Sequence, residues 1–196
     1  MSKIRVGIET SVATFSNAGT ARYAVELPAA LQRLAAPDLE LVEIAFGKRH
    51  QFVAPGWRRK LRYLYWEQVY CRRILPQIID RLRLDVFHAA APLPLSAAGT
   101  RQSPQMVTTV HDLIAFSNPE WFSRAGALRT QHDTRLAVRA SQCLITDSYA
   151  TEKELAARLS VPNDKITTIY PGKPTPVFSV AEIWPRQPFF VSVGTL

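Results

Sequence analysis

The pattern that decides the fold is contained in residues 142–170, QCLITDSYATEKELAARLSVPNDKITTIY. Two short apolar runs within it, Gln142–Thr146 and Ile166–Tyr170, predict β-strands. Between them, Thr151–Leu159 has the polar and apolar spacing of a helix. A strand, a helix and a second strand in this order are typical of a parallel sheet, because parallel neighbours need a crossover connection.

The same alternation continues along almost the whole chain. Further strands are predicted at Ile4–Ile8, Leu39–Phe46, Asp85–His88 and Gln105–His111, and further helices at Thr20–Leu34 and Ala125–Ala140. The sequence therefore predicts an α/β fold, a parallel sheet with helices on both faces. Ligands of such sheets bind at the C-terminal ends of the strands, so the loops that follow the strands are the first candidates for a functional site.

Composition limits the class of protein. The chain has 196 residues, of which 47% are hydrophobic, as expected for a globular domain and not for a disordered one. No run approaches the roughly 20 apolar residues that span a bilayer. The first residues lead into a predicted strand without a signal sequence, and Cys71 and Cys143 share no motif spacing. We therefore expect reduced thiols, a cytoplasmic location and no metal site.

The net charge of +8 belongs to one segment. Residues 48–83 contain ten Lys and Arg but only Glu67 and Asp80 as acids, whereas the rest of the chain contains 14 basic and 14 acidic residues. Placed on a helix, this segment is predicted to have one apolar face and one basic face. The apolar face would contain Leu61, Leu64, Cys71 and Leu75, and the basic face Arg58, Arg62, Arg72 and Arg73. Pro76 is expected to end or kink the helix.

Aromatic side chains are predicted to lie among these basic residues. The candidate contact surface consists of Arg58, Arg59, Arg62, Tyr65 and Trp66. Such a surface can bind anionic lipid headgroups, with the cations on phosphate and the rings at the interface. It can bind nucleic acid by the same physics. A third interpretation is a solvated helix face that only keeps the protein soluble.

Two loops after predicted strands could carry chemistry. Gly19 precedes a helix that begins near Thr20, and a glycine there lets a phosphate approach the exposed N–H groups. His111 and Asp112 follow a buried strand, where the histidine can bond a ligand hydroxyl or act as a base. His88 also ends a predicted strand. No dinucleotide fingerprint, P-loop, nucleophile elbow or metal-ligand spacing occurs.

Seven short motifs give the chain a resemblance to a known family. They are AGTARY (18–23), WEQ (66–68), DVFH (85–88), TVHDL (109–113), TDS (146–148), IYPG (169–172) and VSVGTL (191–196). In this order they resemble the N-terminal half of the retaining GT-B glycosyltransferases of family 4, the "group 1" set. Members of this set build surface polysaccharides and glycolipids, and the likeness is to bacterial mannosyltransferase-type enzymes.

The resemblance implies a Rossmann-like, acceptor-binding domain. A second such domain would bind a nucleotide-sugar, and the sugar would be transferred in the cleft between them, with retention and without an essential metal. His111 matches a catalytic histidine that contacts the transferred sugar. Gly19 and Thr20 match a loop near the donor phosphates, although Ala18 stands where the family often has a second glycine. Asp112 and Ser148 match further substrate-binding positions.

The resemblance also sets the expected domain limits. Residues 1–178 would form the acceptor-binding domain, and residues 179–196 a linker with the first strand of a donor domain. The family's Glu-x7-Glu pair does not occur in the sequence, so we expect the chain alone to be inactive. The acceptor would be lipid-linked or a polysaccharide, at the inner face of the plasma membrane.

Two other functions stay open at this point. One is a non-catalytic binding module that recruits nucleic acid through the basic helix, for which the sequence has no recognition motif. The other is an inverting enzyme with His111 as general base, for which no acidic partner of the histidine can be identified from the sequence.

Overall fold

A computed structural model describes residues 3–16, 18–34, 36–47, 56–95 and 104–172. In these ranges six strands form one sheet. The strands are β1 (Ile4–Glu9), β2 (Leu39–Ile44), β3 (Val86–Ala89), β4 (Gln105–Val110), β5 (Cys143–Thr146) and β6 (Ile166–Thr168). Their order is β2-β1-β3-β4-β5-β6, and every neighbouring pair is parallel. The predicted parallel sheet is confirmed.

Helices connect the strands, as the alternating pattern predicts. They are α1 (Val12–Phe15), α2 (Gly19–Leu34), α3 (Gly56–Tyr65), α4 (Leu75–Leu82), α5 (Ile114–Ser117), α6 (Arg124–Ala140) and α7 (Tyr149–Leu159). A π-helical segment, Trp66–Ile74, joins α3 to α4. None of the helices in the described ranges is long and apolar enough to cross a bilayer. The expected linker and donor-domain strand, residues 179–196, lie outside the described residues.

The helices cover both faces of the sheet. The contacts of two adjacent residues of β4 show this. Successive side chains of a strand point to opposite faces. Thr109 bonds the hydroxyl of Tyr23 on α2, whereas Thr108 accepts a hydrogen bond from Ser141 at the end of α6. Helices α2 and α6 therefore lie on opposite faces, which agrees with the Rossmann-like α/β architecture expected from the sequence.

Two apolar clusters hold the layers together. The larger packs the π-helical segment and α4 against β3 and β4, and its centre is formed by Cys71, Leu75, Ile79 and Phe87, all fully buried. The smaller, around Val110, Leu144 and Leu155, packs α6 and α7 against β4 and β5. Both clusters include residues at or beyond the C-terminal ends of strands, such as Val110 at the end of β4 and Leu113 after it, so they anchor the loops that begin there.

The basic segment folds differently from the prediction. Trp66 is only 6% exposed and packs into the larger cluster, so its placement on the basic surface is wrong. Leu61 and Leu64, expected on one apolar face with Cys71 and Leu75, are 57% and 48% exposed, whereas Cys71 and Leu75 are fully buried. The cause is the π-helical segment, whose longer hydrogen-bonded rings turn the chain by less than 100° per residue and rotate the faces on either side of it.

Pro76 does not end this helical segment. The backbone passes from π-helical to α-helical conformation at Leu75, so Pro76 lies in the first turn of α4. A proline is tolerated there because the N–H groups of a first turn have no partner within their own helix.

Candidate functional site

The candidate site is formed where three neighbouring strands end. Ala90 follows β3, His111 follows β4 and Asp147 follows β5. These strands are adjacent in the sheet, and the pairing of Val110 with Thr146 aligns the ends of β4 and β5. The three residues therefore meet at the C-terminal edge of the sheet, where ligands of open α/β folds bind.

The His111 ring is held at both nitrogens. Nδ1 lies 2.6 Å from Oδ2 of Asp147, and Nε2 lies 2.9 Å from the backbone oxygen of Ala90. The side chain of His111 is 11% exposed. A carboxylate and a carbonyl can only accept, so both ring nitrogens donate, which requires the protonated imidazolium form.

The electrostatic surroundings favour the same form. Burial lowers the pKa of His111, but the hydrogen bond and charge of Asp147, the Ala90 carbonyl and the charge of Asp112 together raise that pKa above its ordinary value. The two hydrogen-bond acceptors and the raised pKa thus both favour a positively charged His111 at the edge of the sheet. In this arrangement neither nitrogen has a free lone pair, so the ring is not prepared to act as a general base.

Tyr23 brings the start of α2 next to His111. Its ring meets the imidazole edge-on, with the ring centres 5.0 Å apart. Gly19, the first residue of α2, lies one helical turn before Tyr23 and on the same helix face. A Cβ on Gly19 would meet no described atom within 4 Å, so neither packing against the described residues nor the backbone conformation requires glycine there. The Tyr23 contact thus places the helix that begins at Gly19 beside His111, and the substrate-binding roles of Gly19 and Thr20 stay predictions.

A second, neutral histidine lies behind the site. His88 Nε2 is 2.8 Å from Thr109 Oγ1, which also bonds the hydroxyl of Tyr23 at 3.2 Å. Burial, with a smaller contribution from the charge of His111, lowers the pKa of His88 to about 4. His88 is therefore uncharged near neutral pH, and it connects the strands beneath His111.

Ser148 and Thr151, at the start of α7, connect that helix to His111. Ser148 is the N-cap of α7 and accepts a hydrogen bond from the Thr151 N–H at 3.2 Å. The Thr151 hydroxyl donates to the backbone oxygen of His111 at 3.1 Å, which ties α7 to the end of β4. Asp112 is exposed, and its Oδ1 accepts from the Ile114 N–H at 3.1 Å. Ser148 thus caps a helix that is bonded to His111, and Asp112 makes a local hydrogen bond to the backbone two residues further on.

The basic surface is separate from these contacts. The Arg58 guanidinium lies 5.2 Å from the Trp57 ring centre, and that of Arg62 lies 5.1 Å from the Phe46 ring centre. Tyr65 is 48% exposed. The side chain of Arg59 lies outside what the structure describes. Within the described ranges no group of three His, Cys, Asp or Glu side chains could hold a metal ion.

Asp147, Ala90 and Tyr23 are site residues that sequence reasoning did not select. The signal for Asp147 was its position directly after a predicted strand, within the TDS motif. Which strand lies beside β4 is not visible in the sequence, so the contact between Asp147 and His111 could not be assigned before the sheet order was known.

Comparison with known proteins identifies the family of the chain. No curated protein matches the chain. The family model described as Glycosyltransferase Family 4 matches residues 5–175, a range that contains the six strands apart from Ile4, the start of α2, His111 and Asp147. Since this match covers well over half of the sequence, the chain belongs to glycosyltransferase family 4.

Proposed function

We propose that this chain is the acceptor-binding part of a retaining glycosyltransferase. The enzyme would transfer a sugar from a nucleotide-sugar to a lipid-linked or polysaccharide acceptor, without a metal cofactor. Family membership supports sugar transfer in general. The observation that carries the finer proposal is the contact between Tyr23 and the doubly bonded His111, which brings the N-terminus of α2 to the same place as a fixed positive charge.

The chemistry of a nucleotide-sugar suits this place. Its diphosphate is anionic, and the N–H groups of a helix N-terminus together with an imidazolium favour negative charge. Gly19 leaves open space in front of the first turn, and Thr20 adds a hydroxyl group beside it. With the phosphates there, the transferred sugar would lie against His111, and Asp112 and Ser148 would flank it.

The same geometry favours retention over the inverting alternative. An inverting enzyme needs a base that takes a proton from the acceptor hydroxyl. His111 already donates from both ring nitrogens, to Asp147 and to Ala90, and so cannot accept a proton without first losing one of them. Its positive charge serves better to stabilise the negative charge that develops on a leaving diphosphate.

The glycine provides a direct test. We expect Gly19→Leu to weaken binding of UDP-glucose and GDP-mannose, used as probes, by about tenfold or more, because the side chain would occupy the space in front of α2. Gly56→Leu is the matched control, since Gly56 also begins a helix and a Cβ there would likewise meet no described atom within 4 Å. Isothermal titration calorimetry measures both variants, and thermal unfolding checks that both are folded.

Two results would contradict the proposal. One is equal binding of the probes by the Gly19 and Gly56 variants. The other is the absence of binding of both probes by the unmodified chain, which would contradict a contribution of this chain to the site of the donor phosphates.

We also propose that the acceptor is met at an anionic membrane surface, at the inner face of the plasma membrane. Trp57, Leu61 and Leu64 form an exposed apolar stripe on α3, with Trp57 60% exposed. Arg58 and Lys60 are exposed on the same helix. An apolar stripe next to cations is suited to lie in a lipid interface. This stripe, with Tyr65, replaces the predicted surface that included Trp66.

The stripe argues against nucleic acid as the partner of α3. Single-stranded nucleic acid is bound by aromatic rings that stack on bases, within a basic groove. Two of the three exposed apolar residues, Leu61 and Leu64, are aliphatic and offer no stacking surface. Lipid acyl chains, in contrast, interact with aliphatic and aromatic side chains alike.

A further inference from the structure

We propose that Asp147 is a positioning residue, which keeps the His111 ring oriented and positively charged so that it can face the phosphate groups of a nucleotide-sugar. This inference rests on the function proposed above and deepens it. The family match assigns no role to Asp147, and the local sequence pattern does not single it out. The geometry of four contacts supports it.

The first contact is the hydrogen bond itself. Asp147 Oδ2 and His111 Nδ1 are 2.6 Å apart, within hydrogen-bond distance, and a bond from an imidazolium to a carboxylate is charge-assisted. Oδ1 of Asp147 is buried and has no hydrogen-bond partner among the described residues. The Asp147 side chain is 24% exposed, and among the described residues His111 is the hydrogen-bond partner of its carboxylate.

The other three contacts fix the ring and its backbone. The Ala90 carbonyl accepts from Nε2, and the Tyr23 ring lies edge-on against the imidazole. The Thr151 hydroxyl holds the backbone oxygen of His111. Rotation of the ring would break the bonds at both nitrogens together. Asp147 is the one of these partners that carries a negative charge, and with its hydrogen bond it favours the protonated ring more than the Ala90 carbonyl or the nearby charge of Asp112 does.

Removal of that charge has a definite consequence. In Asp147→Asn the shape is kept and the amide oxygen can still accept a hydrogen bond, but the negative charge is lost. Burial then dominates and lowers the pKa of His111. A protonated histidine is present below its pKa and is lost as the pH rises through it, so the positive charge of the site disappears at a lower pH in the variant.

The test uses the chain itself and nuclear magnetic resonance. Long-range ¹H–¹⁵N spectra report the protonation of each ring nitrogen across a pH series, and His111→Asn identifies the His111 signals among the four histidines. We expect both His111 nitrogens to be protonated at pH 7 in the unmodified chain. In Asp147→Asn the titration should move down by about one pH unit or more. Asp147→Glu should restore part of the shift.

Binding of the same two probes, UDP-glucose and GDP-mannose, gives the functional arm. At pH 7.5 we expect Asp147→Asn to bind about tenfold more weakly than the unmodified chain, and at pH 5.5, where the ring is protonated again, to bind nearly as well. Glu154→Gln is the control, since Glu154 is a carboxylate on α7 that pairs with Arg158 on the surface. A purely structural defect would weaken binding equally at both pH values.

The outcomes separate this inference from the proposed function. An unchanged His111 titration in Asp147→Asn overturns the inference, and so does a loss of binding that is the same at pH 5.5 and 7.5. If the unmodified chain binds neither probe, the proposed contribution of this chain to the donor-phosphate site fails, and the phosphate-facing role of His111 fails with it. If Gly19→Leu does not affect probe binding, in contrast, only the position of the phosphates in front of α2 is contradicted. The His111 titration still tests the role of Asp147 independently.

Discussion

Glu9 is the clearest example of a single residue in an unfavourable environment. It ends β1, is 1% exposed, and has Oε1 buried with no partner among the described residues. Burial raises the pKa of Glu9 to about 7, although hydrogen bonds with Ser11 act in the opposite direction. The site around this carboxyl, near Tyr70 and Cys71, thus favours its neutral form.

This predicts a pH dependence of stability that Glu9→Gln removes. The pKa of Glu9 is higher in the folded protein than its ordinary value of 4.5, so between about pH 4.5 and 7 the folded state keeps a proton that the unfolded state releases. Stability is therefore lost as the pH rises through this window. From pH 5 to pH 8 the loss due to Glu9 amounts to about 2–3 kcal/mol, and Glu9→Gln does not show it.

Urea unfolding at pH 5 and pH 8 measures the effect. Asp133, whose pKa burial raises to about 6, contributes to the pH dependence of both proteins, so the difference between them isolates Glu9. Glu154→Gln, at an exposed position, should follow the unmodified chain. Parallel stability profiles for the Glu9 variant and the unmodified chain would contradict the assignment of the raised pKa to Glu9.

Single residues also show what the sequence could and could not predict of the site. His111 and Gly19 were predictable, because each stands at the boundary of a strand or helix that the local pattern reveals. Asp147 stands at such a boundary too, but its role depends on contact with His111, 36 residues away in the chain. A long-range contact of this kind follows from strand order, which local periodicity does not encode.

At the scale of elements, the start of α7 carries a prediction about both stability and binding. Ser148 caps this helix through the Thr151 N–H. Loss of an N-cap hydroxyl typically costs about 1 kcal/mol, so we expect Ser148→Ala to lower the free energy of unfolding by that amount and Ser148→Thr to keep most of it. Ser123→Ala, which removes the cap of α6, should cost about as much.

A comparison of these cap variants also tests the role of Ser148. Urea unfolding gives the cost of each change, and titration with UDP-glucose and GDP-mannose gives its effect on binding. If Ser148 only caps α7, the Ser148→Ala and Ser123→Ala variants lose stability and bind the probes alike. Weaker binding in Ser148→Ala alone would assign the hydroxyl to substrate, and an unchanged stability in Ser148→Ala would contradict the cap.

The elements themselves were largely predictable, with one instructive exception. Strands and α-helices follow from periods of two and 3.6 residues, and the predicted strands and helices lie close to the observed ones. The segment from Trp66 to Ile74 is π-helical, with a different period, so a constant 100° per residue placed Trp66 and Leu61 on the wrong faces. The prediction failed there because a helical periodicity is read from the sequence with one constant angle per residue, and a change of helix type within the segment alters that angle.

For the whole molecule, the strand order explains where the site lies. The chain passes from β1 outward to β2 and then returns to β3 on the other side of β1. At such a switch the connecting segments leave the sheet on opposite faces, which opens a crevice at the C-terminal edge. The start of α2 after β1 and Ala90 after β3 border this crevice, and His111 contacts both through Tyr23 and Ala90. Neither composition nor motif spacing predicts this arrangement.

The distribution of charge over the whole molecule leads to the prediction about membranes. Because the excess of positive charge belongs to residues 48–83, we expect the chain to bind vesicles that contain phosphatidylglycerol and not vesicles of phosphatidylcholine alone. Raising the salt concentration from 0.1 to 1 M shortens the screening length from about 10 to about 3 Å, so binding should weaken strongly. Co-sedimentation with vesicles measures both effects.

The apolar stripe on α3 makes a separate contribution to vesicle binding, and salt does not screen this contribution. Leu61→Ser combined with Leu64→Ser leaves the net charge unchanged but removes two exposed apolar side chains, which should weaken binding about tenfold or more. Leu34→Ser combined with Leu128→Ser is the matched control, because these leucines are at least as exposed but lie on α2 and α6. If both pairs of variants bind vesicles alike, α3 is not the lipid-contacting helix.

The alternative partner of the basic segment is nucleic acid. If the chain binds RNA in a salt-dependent manner and binds no vesicles, the basic segment binds nucleic acid, because its positive charges then contact RNA phosphates while its exposed leucines contribute nothing.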